Sequence, residues 1–191
     1  MVEKRALVER ILAGDQYAFE QLVRDYQKLV SHIVFRMIAN PADREDICQE
    51  VFMRVYKNLK SFRFDSKLST WIARIAYNGC LNYLEKKKVP LYDDIIEDDS
   101  LTIENQADQA PSPDMNSEDF ELSKILNNEI EKLPVRYRTI LTLYHLDEMS
   151  YDEIGKVTDQ PSGTVKSYLF RARKMLKKRL EMRYNREDLW R

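Results

Sequence analysis

A cationic helix face near the C-terminus has residue types that suit binding to nucleic acid. The segment from Asp159 to Leu180 reads DQPSGTVKSYLFRARKMLKKRL. Its apolar residues recur at spacings of four, three and four, as on one face of an α-helix. The other face carries basic side chains, namely Lys166, Arg171, Arg173, Lys174, Lys177, Lys178 and Arg179. A solvated surface helix shows the same pattern, so the preceding residues decide between the two interpretations.

Those preceding residues predict a helix-turn-helix. Ser150 is placed as an N-cap, and Glu153 stands three residues later as its capping-box partner. Gly155 falls where two helices that cross steeply need a residue without bulk. A short helix, a turn and a longer basic helix form the helix-turn-helix pattern, whose second helix lies in the major groove. Gln160 departs from this pattern, because an apolar residue usually follows the turn.

A second candidate surface for nucleic acid lies in the N-terminal half. Arg74, Asn78 and Asn82 recur every four residues on one predicted helix, and two Asn residues inside a helix lower its intrinsic stability. Asn side chains can read base edges with a donor and an acceptor. Trp71 opens the same helix after the loop KSFRFDSKLST, where aromatic and basic residues alternate as in sites for unstacked bases. Taken alone, Trp71 is more typical of a core residue.

A third polar face has no obvious chemistry of its own. Asp46, Gln49, Glu50 and Met53 share one side of the helix predicted over 42–59. Spacing alone favours an ordinary solvated face.

Catalytic and metal-binding patterns are missing from the sequence. The two histidines, His32 and His145, lie far apart, and Cys48 and Cys80 have no metal-type spacing. Both cysteines fall on apolar stripes, which predicts buried thiols. There is no Gly-rich phosphate loop, nucleophile elbow or metalloprotease helix. We therefore expect no cofactor, no metal, no small-molecule substrate and no enzymatic activity.

The elements that must position these residues are all predicted to be α-helical. In the N-terminal half, one helix ends at Gly14 and the next begins after the N-cap Asp15. The third helix is predicted to point four apolar side chains inward, namely Ile47, Val51, Val55 and Leu59. A fourth has the core stripe Ile72, Ile75, Ala76, Gly79 and Tyr83. The predicted ranges are up to Gly14, 16–38, 42–59, 70–88, 117–132 and 135–146, followed by the helix-turn-helix pair.

Charge divides the chain into two basic lobes and an acidic connector. Residues 1–88 hold sixteen Lys or Arg and eleven Asp or Glu, and residues 123–191 hold fifteen and ten, so each lobe carries +5. Residues 89–122 hold eleven acids and no base. The connector also contains three prolines and no sustained period, which predicts a flexible linker. The expected architecture is two small helical domains joined by this linker.

Composition agrees with a soluble helical protein of 191 residues, 33% charged and with only 4 Gly. No apolar run approaches the length that spans a bilayer, and the charged N-terminus lacks the apolar core of a signal peptide. The expected location is the cytoplasm, with no insertion into a membrane.

Two longer stretches resemble bacterial sigma factors. PADREDICQEVFMRVYKNLKSFRFDSKLSTWIARIAYNGCLNYLEKKK resembles conserved region 2, and LPVRYRTILTLYHLDEMSYDEIGKVTDQPSGTVKSYLFRARKML resembles region 4. The short length, with no domain between the two regions, resembles the extracytoplasmic-function (ECF) class. The resemblance implies a transcription initiation factor that directs core RNA polymerase to promoter DNA.

The resemblance also implies roles for particular residues of the first lobe, region 2 at 1–88. The face of Asp46, Gln49, Glu50 and Met53 would grip the coiled coil of the polymerase β′ clamp. The loop from Ser61 to Leu68 would capture a flipped base of the −10 element, and the neighbouring helix face would read and melt it. The −10 set is Ser61, Phe62, Arg63, Phe64, Asp65, Ser66, Lys67, Leu68, Trp71, Arg74, Asn78 and Asn82.

In the second lobe, region 4 at 123–191, the recognition helix would contact the −35 element and the lobe would bind the β flap. The −35 set is Ser162, Thr164, Lys166, Ser167, Phe170, Arg171 and Lys174. Tyr168 stands where a basic residue is common. The connector would thread toward the polymerase active site and RNA exit path, and a cognate anti-sigma factor, often at the membrane, would control a stress regulon.

Two other classes of protein stay open at this point. A dimeric helix-turn-helix regulator would need a dimerisation or ligand domain, and an acidic tether fits it poorly. An RNA-binding enzyme would need a catalytic cluster that the sequence lacks.

Overall fold

The computed structural model describes residues 2–88 and 117–183, so most of the acidic connector lies outside the described residues. Within those ranges the fold is all-α, as predicted. The helices are α1 (Val2–Leu12), α2 (Gln16–Met37), α3 (Pro41–Asn58), α4 (Leu68–Lys86), α5 (Ser117–Glu131), α6 (Val135–His145), α7 (Tyr151–Thr158) and α8 (Ser162–Arg183). A 3-10 turn, Leu59–Ser61, follows α3.

The core of the N-terminal lobe lies where α2 packs against α3 and α4. Gly14 ends α1 with a φ of +92°, a conformation that glycine adopts without strain. Asp15 then caps α2, because its Oδ1 atom accepts a hydrogen bond of 3.1 Å from the amide of Ala18. Four side chains predicted to point inward from the third helix and its end are buried, which confirms that prediction; they are Ile47, Val51, Val55 and Leu59.

The fourth helix differs from the prediction in its start and in its buried face. It begins at Leu68 rather than Thr70, because the Leu68 side chain is buried in the core and anchors the first turn. Tyr83 was predicted in the core stripe but is half-buried: its ring packs against the core, and its hydroxyl donates a hydrogen bond of 2.5 Å to Asp43. Of the other predicted residues, Ile72 and Ala76 are buried, whereas Ile75 and Gly79 are half-buried. The buried face turns toward Ala73, Tyr77, Cys80 and Leu84.

The helix-turn-helix of the C-terminal lobe has the predicted caps and turn. Ser150 and Glu153 form the full capping box at the start of α7. Asp159 ends that helix in the left-handed region, at φ 57°. A Cβ atom on Gly155 would lie 2.6 Å from the carbonyl oxygen of Gln160, so only glycine fits at this close approach. The prediction that this position excludes bulk is confirmed.

A buried carboxylate joins the first and last helices of this lobe. Glu129 on α5 is fully buried and accepts hydrogen bonds from Lys132, Arg179 and Arg183. Burial alone would raise its pKa, but the hydrogen bonds and charges of Lys132 and Arg179 outweigh burial and lower it. The ionised carboxylate therefore fixes α5 against the far half of α8.

The two lobes pack directly against each other through α2 with α6 and α4 with α7. Arg36 on α2 reaches Glu131 and donates a hydrogen bond of 3.1 Å to the Thr142 hydroxyl. Arg138, which is buried, donates in return to the carbonyl oxygen of Arg36. Charged hydrogen bonds of this kind are stronger than neutral ones, so the contact is a specific closed arrangement.

Candidate nucleic-acid interface

The N-terminal half of α8 presents the predicted −35 residues on one side. Val165, Leu169 and Ala172 are buried against the lobe and fix the rotation of the helix. The opposite side is open, and the Phe170 side chain is 69% exposed. Six predicted residues are exposed and Thr164 is half-buried; the exposed ones are Ser162, Lys166, Ser167, Phe170, Arg171 and Lys174. This is the form of a helix that enters a DNA groove.

Tyr168 lies on the flank of this face. Its hydroxyl accepts a hydrogen bond of 3.0 Å from Arg136, and its ring meets the ring of Tyr137 edge-on at 5.6 Å. The guanidinium of Arg136 also lies 5.5 Å from the Tyr168 ring centre. Tyr168 therefore braces α8 against α6. Sequence reasoning missed Arg136, because no helical spacing connects residues 32 positions apart.

A second group that sequence reasoning missed borders the same helix. The guanidinium of Arg173 lies 5.1 Å from the Tyr144 ring centre, and its Nη2 atom is 3.2 Å from Nε2 of His145. The pKa of His145 is lowered by burial and, second, by the charge of Arg173. The Tyr144 ring stacks on Tyr151 at 5.3 Å. The cluster ties α6, α7 and α8 together at the edge of the −35 face.

The residues predicted to contact the −10 element on α4 form an exposed polar side. Arg74, Asn78 and Asn82 are all exposed along one side of the helix, as their spacing predicted. Trp71 is half-buried at the start of that side and packs against the core. An exposed Asn pair beside an aromatic residue can offer hydrogen bonds and stacking to unpaired bases.

The loop from Ser61 to Leu68 is built around a row of aromatic rings. The ring centres of Phe62 and Phe64 are 4.5 Å apart, and those of Phe62 and Trp71 are 5.2 Å apart. Phe62 and Leu68 are buried, so these two predicted residues support the loop from below. The rest of the predicted loop set reaches the surface, with Ser61, Arg63, Asp65 and Lys67 exposed and Phe64 and Ser66 half-buried.

The predicted polymerase-binding residues on α3 form one exposed face. Asp46, Gln49, Glu50 and Met53 all reach solvent, and the Met53 side chain is 53% exposed. Tyr56, one turn further on, is 50% exposed. Met53 and Tyr56 thus give this face an apolar centre with a charged rim, which is typical of protein interfaces. Sequence reasoning did not include Tyr56 in the face.

In this closed arrangement, two residues of the predicted −10 set form ion pairs with the helix-turn-helix. The Nζ atom of Lys67 lies 2.9 Å from Oε1 of Glu153, and Nη2 of Arg74 lies 3.8 Å from Oδ1 of Asp159. Burial alone would raise the pKa of Glu153, but hydrogen bonds from Lys67 and Ser150 outweigh burial and lower it. A cleft of about 600 Å³ remains between Arg74 and the turn.

The described residues also bear on the expectations about metal ligands, cysteines and membrane spans. Across 2–88 and 117–183, no three His, Cys, Asp or Glu side chains come together as metal ligands. Cys48 is half-buried and Cys80 is buried, and burial raises the pKa of Cys80 to about 12. Such a thiol is inert at neutral pH. Over those ranges, no helix is both long and apolar enough to cross a membrane.

Comparison with known proteins decides which family has these surfaces. The chain matches Sigma-70 region 2 over residues 22–89 and Sigma-70 region 4 over residues 123–176. The chain belongs to the sigma-70 family. It is 37% identical over 183 residues to the ECF RNA polymerase sigma factor SigW of Bacillus subtilis. The aligned residues cover 94% of this chain and 97% of SigW. A sigma factor of this class directs core RNA polymerase to specific promoters and initiates transcription there.

Other relatives agree on the class and on the fold. The ECF RNA polymerase sigma-E factor of Escherichia coli K12 is 38% identical over 180 residues, 93% of this chain and 94% of that protein. The solved structure of CnrH with the cytosolic domain of CnrY superposes with a TM-score of 0.66 at 20% identity, over 94% of this chain and 98% of CnrH. A sigma factor RpoE bound to the anti-sigma factor NepR from Bartonella quintana gives 0.66 at 21%, over 87% of this chain and 98% of RpoE. These two solved structures support the assignment of the all-α fold.

Proposed function

We propose that this sigma factor divides its work between its two lobes. Residues 1–88 bind core polymerase and read and open the −10 element, residues 123–191 bind the −35 element, and residues 89–122 tether them. The observation that carries this division is the presence of two separate DNA-type surfaces, the exposed side of α8 and the Arg74–Asn78–Asn82 side of α4.

The −35 step uses the exposed side of α8 in the major groove of duplex DNA. Arg171 is the residue suited to a bidentate contact with guanine, and Lys166 and Lys174 suit phosphate or base acceptors. Ser162, at the first turn of α8, suits a backbone phosphate, because helix N-termini attract anions. Phe170 offers an apolar contact such as a thymine methyl group.

The −10 step uses the loop and the start of α4 on an unpaired strand. An unstacked base needs a surface that offsets the loss of stacking. The aromatic row of Phe62, Phe64 and Trp71 supplies such a surface, and the amides of Asn78 and Asn82 supply hydrogen bonds along the next turns.

Both DNA steps require the lobes to separate. Promoter elements centred about 25 base pairs apart lie about 85 Å apart along duplex DNA, at about 3.4 Å per base pair. Here a −10 residue, Arg74, lies 3.8 Å from Asp159 at the turn before the recognition helix. The closed arrangement is therefore that of the protein without promoter DNA, and core polymerase must hold the lobes apart.

The polymerase grip is assigned to the α3 face, with Met53 and Tyr56 as its apolar centre. Its carboxylates, Asp46 and Glu50, suit a basic partner surface. Glu50 is held by Arg54 through a hydrogen bond of 2.6 Å, so its position is set before binding. Core polymerase would contact this face through the β′ clamp coiled coil and the second lobe through the β flap.

The remaining assignments are a cytoplasmic location, regulation by an anti-sigma factor and the absence of catalysis by this chain. A protein of the same fold, RpoE, is bound by the anti-sigma factor NepR, which supports a partner of that kind. The acidic connector is assigned to the cationic channel of the polymerase, since eleven acids without a base can occupy a channel built for nucleic acid.

The test is run-off transcription with purified core polymerase and a genomic promoter library. The parent protein should yield discrete transcripts that core polymerase alone does not. Reversal of Asp46 and Glu50 to Lys should abolish holoenzyme assembly while the helical content is retained. Glu20→Lys on α2, an exposed acid paired with Arg24, is the matched control. Unchanged co-purification of the double variant with core polymerase would refute the assignment of the α3 face.

Size-exclusion chromatography separates this function from a dimeric helix-turn-helix regulator. The free sigma factor should elute as a monomer and bind duplex DNA weakly without polymerase. A dimer that shifts a palindromic duplex by itself would favour the regulator.

A further inference from the structure

Phe64 stands in a backbone conformation that a bulky residue rarely adopts. Its φ is 61°, in the left-handed region that favours glycine. Strained residues of this kind persist where their surroundings hold them, and they cluster at binding sites. The neighbours of Phe64 therefore show what the conformation is for.

Two groups contact the Phe64 ring. The buried ring of Phe62 lies tilted by 50° at 4.5 Å and contacts the ring of Trp71 in turn. The guanidinium of Arg5, whose side chain is exposed, lies 5.4 Å from the Phe64 ring centre. The row thus runs from a buried ring to a half-buried ring to a cation at the surface.

Arg5 comes from α1, which precedes the segment that matches region 2. Leu7, Val8 and Ile11 bury the inner side of α1, and the helix contacts both α2 and the 3-10 turn that leads into the loop. The Arg5 side chain is 69% exposed. Its ion-pair partner Glu9 lies 3.5 Å away, and the Glu9 side chain is about as exposed. The backbone of Arg5 is therefore fixed while its guanidinium plane stays accessible.

We propose that Arg5 is a further base-contacting residue of the −10 site, and that Phe64 is the platform that positions it. An unpaired base of the opened strand stacks on the outer plane of the Arg5 guanidinium, so that base, cation and ring form three layers. Guanidinium planes stack on aromatic faces and on bases, and an aromatic platform restricts the cation to one orientation. This inference rests on the proposed function of the loop in strand opening.

A phosphate contact by Arg5 is the competing role, and salt dependence separates the two. Loss of one phosphate contact to a single strand lowers the slope of log K against log salt by about 0.7. Loss of a stacking contact leaves that slope nearly unchanged and removes a modest preference for the bases that stack most strongly, because sequence preference at such sites comes from stacking strength.

The experiment uses holoenzyme and fork-junction DNA. Each fork carries a duplex −35 portion from a promoter selected by run-off and a single-stranded non-template tail randomised over the −10 element. Bound pools are sequenced, and affinity is measured across a salt series. The variants are Arg5→Ala, Arg5→Lys and Phe64→Gly. Lys4→Ala is the control, because this substitution also removes one positive charge from α1, whereas the Lys4 side chain pairs with Asp25 at 2.7 Å.

Arg5→Ala should weaken fork binding about fivefold and erase a modest preference for strongly stacking bases at one tail position. Arg5→Lys should keep the charge but lose that preference, and Phe64→Gly should lose it too although glycine relieves the left-handed strain. Lys4→Ala should keep the preference. Preserved preference in Arg5→Ala, or a salt slope reduced by one contact, would overturn the stacking role. A parent holoenzyme that ignores the tail entirely would instead overturn the −10 assignment of the loop.

Discussion

The Nδ1 atom of His32 on α2 lies 2.9 Å from Oδ1 of Asp147 in the turn between α6 and α7. This contact joins the N-terminal lobe to the C-terminal lobe, and both side chains are largely shielded from solvent. It stands beside the Arg36 contacts with Thr142 and Glu131. The closed arrangement is thus held by polar groups that would find water again on opening, which suits a contact that must be broken.

Arg36→Ala should open the two lobes. The substitution removes charged hydrogen bonds to Glu131 and Asn127 as well as one to Thr142, a loss of about 2 kcal/mol of interface free energy. Small-angle scattering should show a radius of gyration that rises by several ångströms relative to the parent; a compact chain of this length would have about 16 Å.

Arg24→Ala, on the same helix, is the control for Arg36→Ala because Arg24 pairs only loosely with Glu20, at 3.7 Å. Its scattering should match the parent. Equal radii for the parent and the Arg36 variant would show that other contacts hold the lobes together.

Arg171→Ala should weaken holoenzyme binding to duplex −35 DNA by about 1–3 kcal/mol, since one bidentate guanine contact is lost. Asn78→Ala should spare that step and slow strand opening, with partial rescue on DNA already melted at −10. Lys177→Ala is the matched control: Lys177 is an exposed cation two turns further along α8 and lies 3.7 Å from Glu181. Closed-complex affinity by gel shift distinguishes the steps, and unchanged duplex affinity in Arg171→Ala would place the groove contact elsewhere.

His145 should titrate below its ordinary pKa of 6.5 in the folded protein, because burial and Arg173 disfavour its charged form. Its neutral form is thus favoured by folding. The linked stability is present above pH 6.5 and falls as the pH drops toward the folded pKa. Arg173→Ala should raise the pKa of His145 part of the way back, because burial persists. NMR titration of the imidazole, assigned with His32→Gln, measures the change, and an unshifted pKa in the variant would contradict the role of Arg173.

Sequence patterns were sufficient for features that depend on near neighbours. The Asp15 cap, the capping box of Ser150 with Glu153 and the need for Gly155 follow from local spacing, and all three are present. Contacts between distant segments carry no such periodicity. The platform of Arg5 on Phe64 and the lobe contact of His32 with Asp147 could not be predicted for that reason.

The rotation of α4 was mispredicted for a related cause. Tyr83 looked like a core residue because its apolar ring fits the helical period. Its hydroxyl instead finds Asp43, forty residues earlier, and this hydrogen bond raises the pKa of Tyr83 to about 12. A polar partner on another helix thus keeps the Tyr83 hydroxyl out of the core while the ring stays half-buried, and no pattern within α4 reveals that partner.

Gly155→Ala should destabilise the −35 lobe, whereas Gly163→Ala should not. The added methyl group at 155 would meet the Gln160 carbonyl oxygen at 2.6 Å, and this oxygen belongs to the backbone of a tight turn that cannot move alone. Strain of this kind costs about 1–3 kcal/mol. At 163, in the first turn of α8, a methyl group meets nothing within 4 Å, and alanine favours a helix over glycine by about 1 kcal/mol in a helix interior and by less at a helix end. Urea denaturation followed by circular dichroism should therefore shift the two variants in opposite directions, and a Gly155→Ala protein as stable as the parent would show that the turn relaxes.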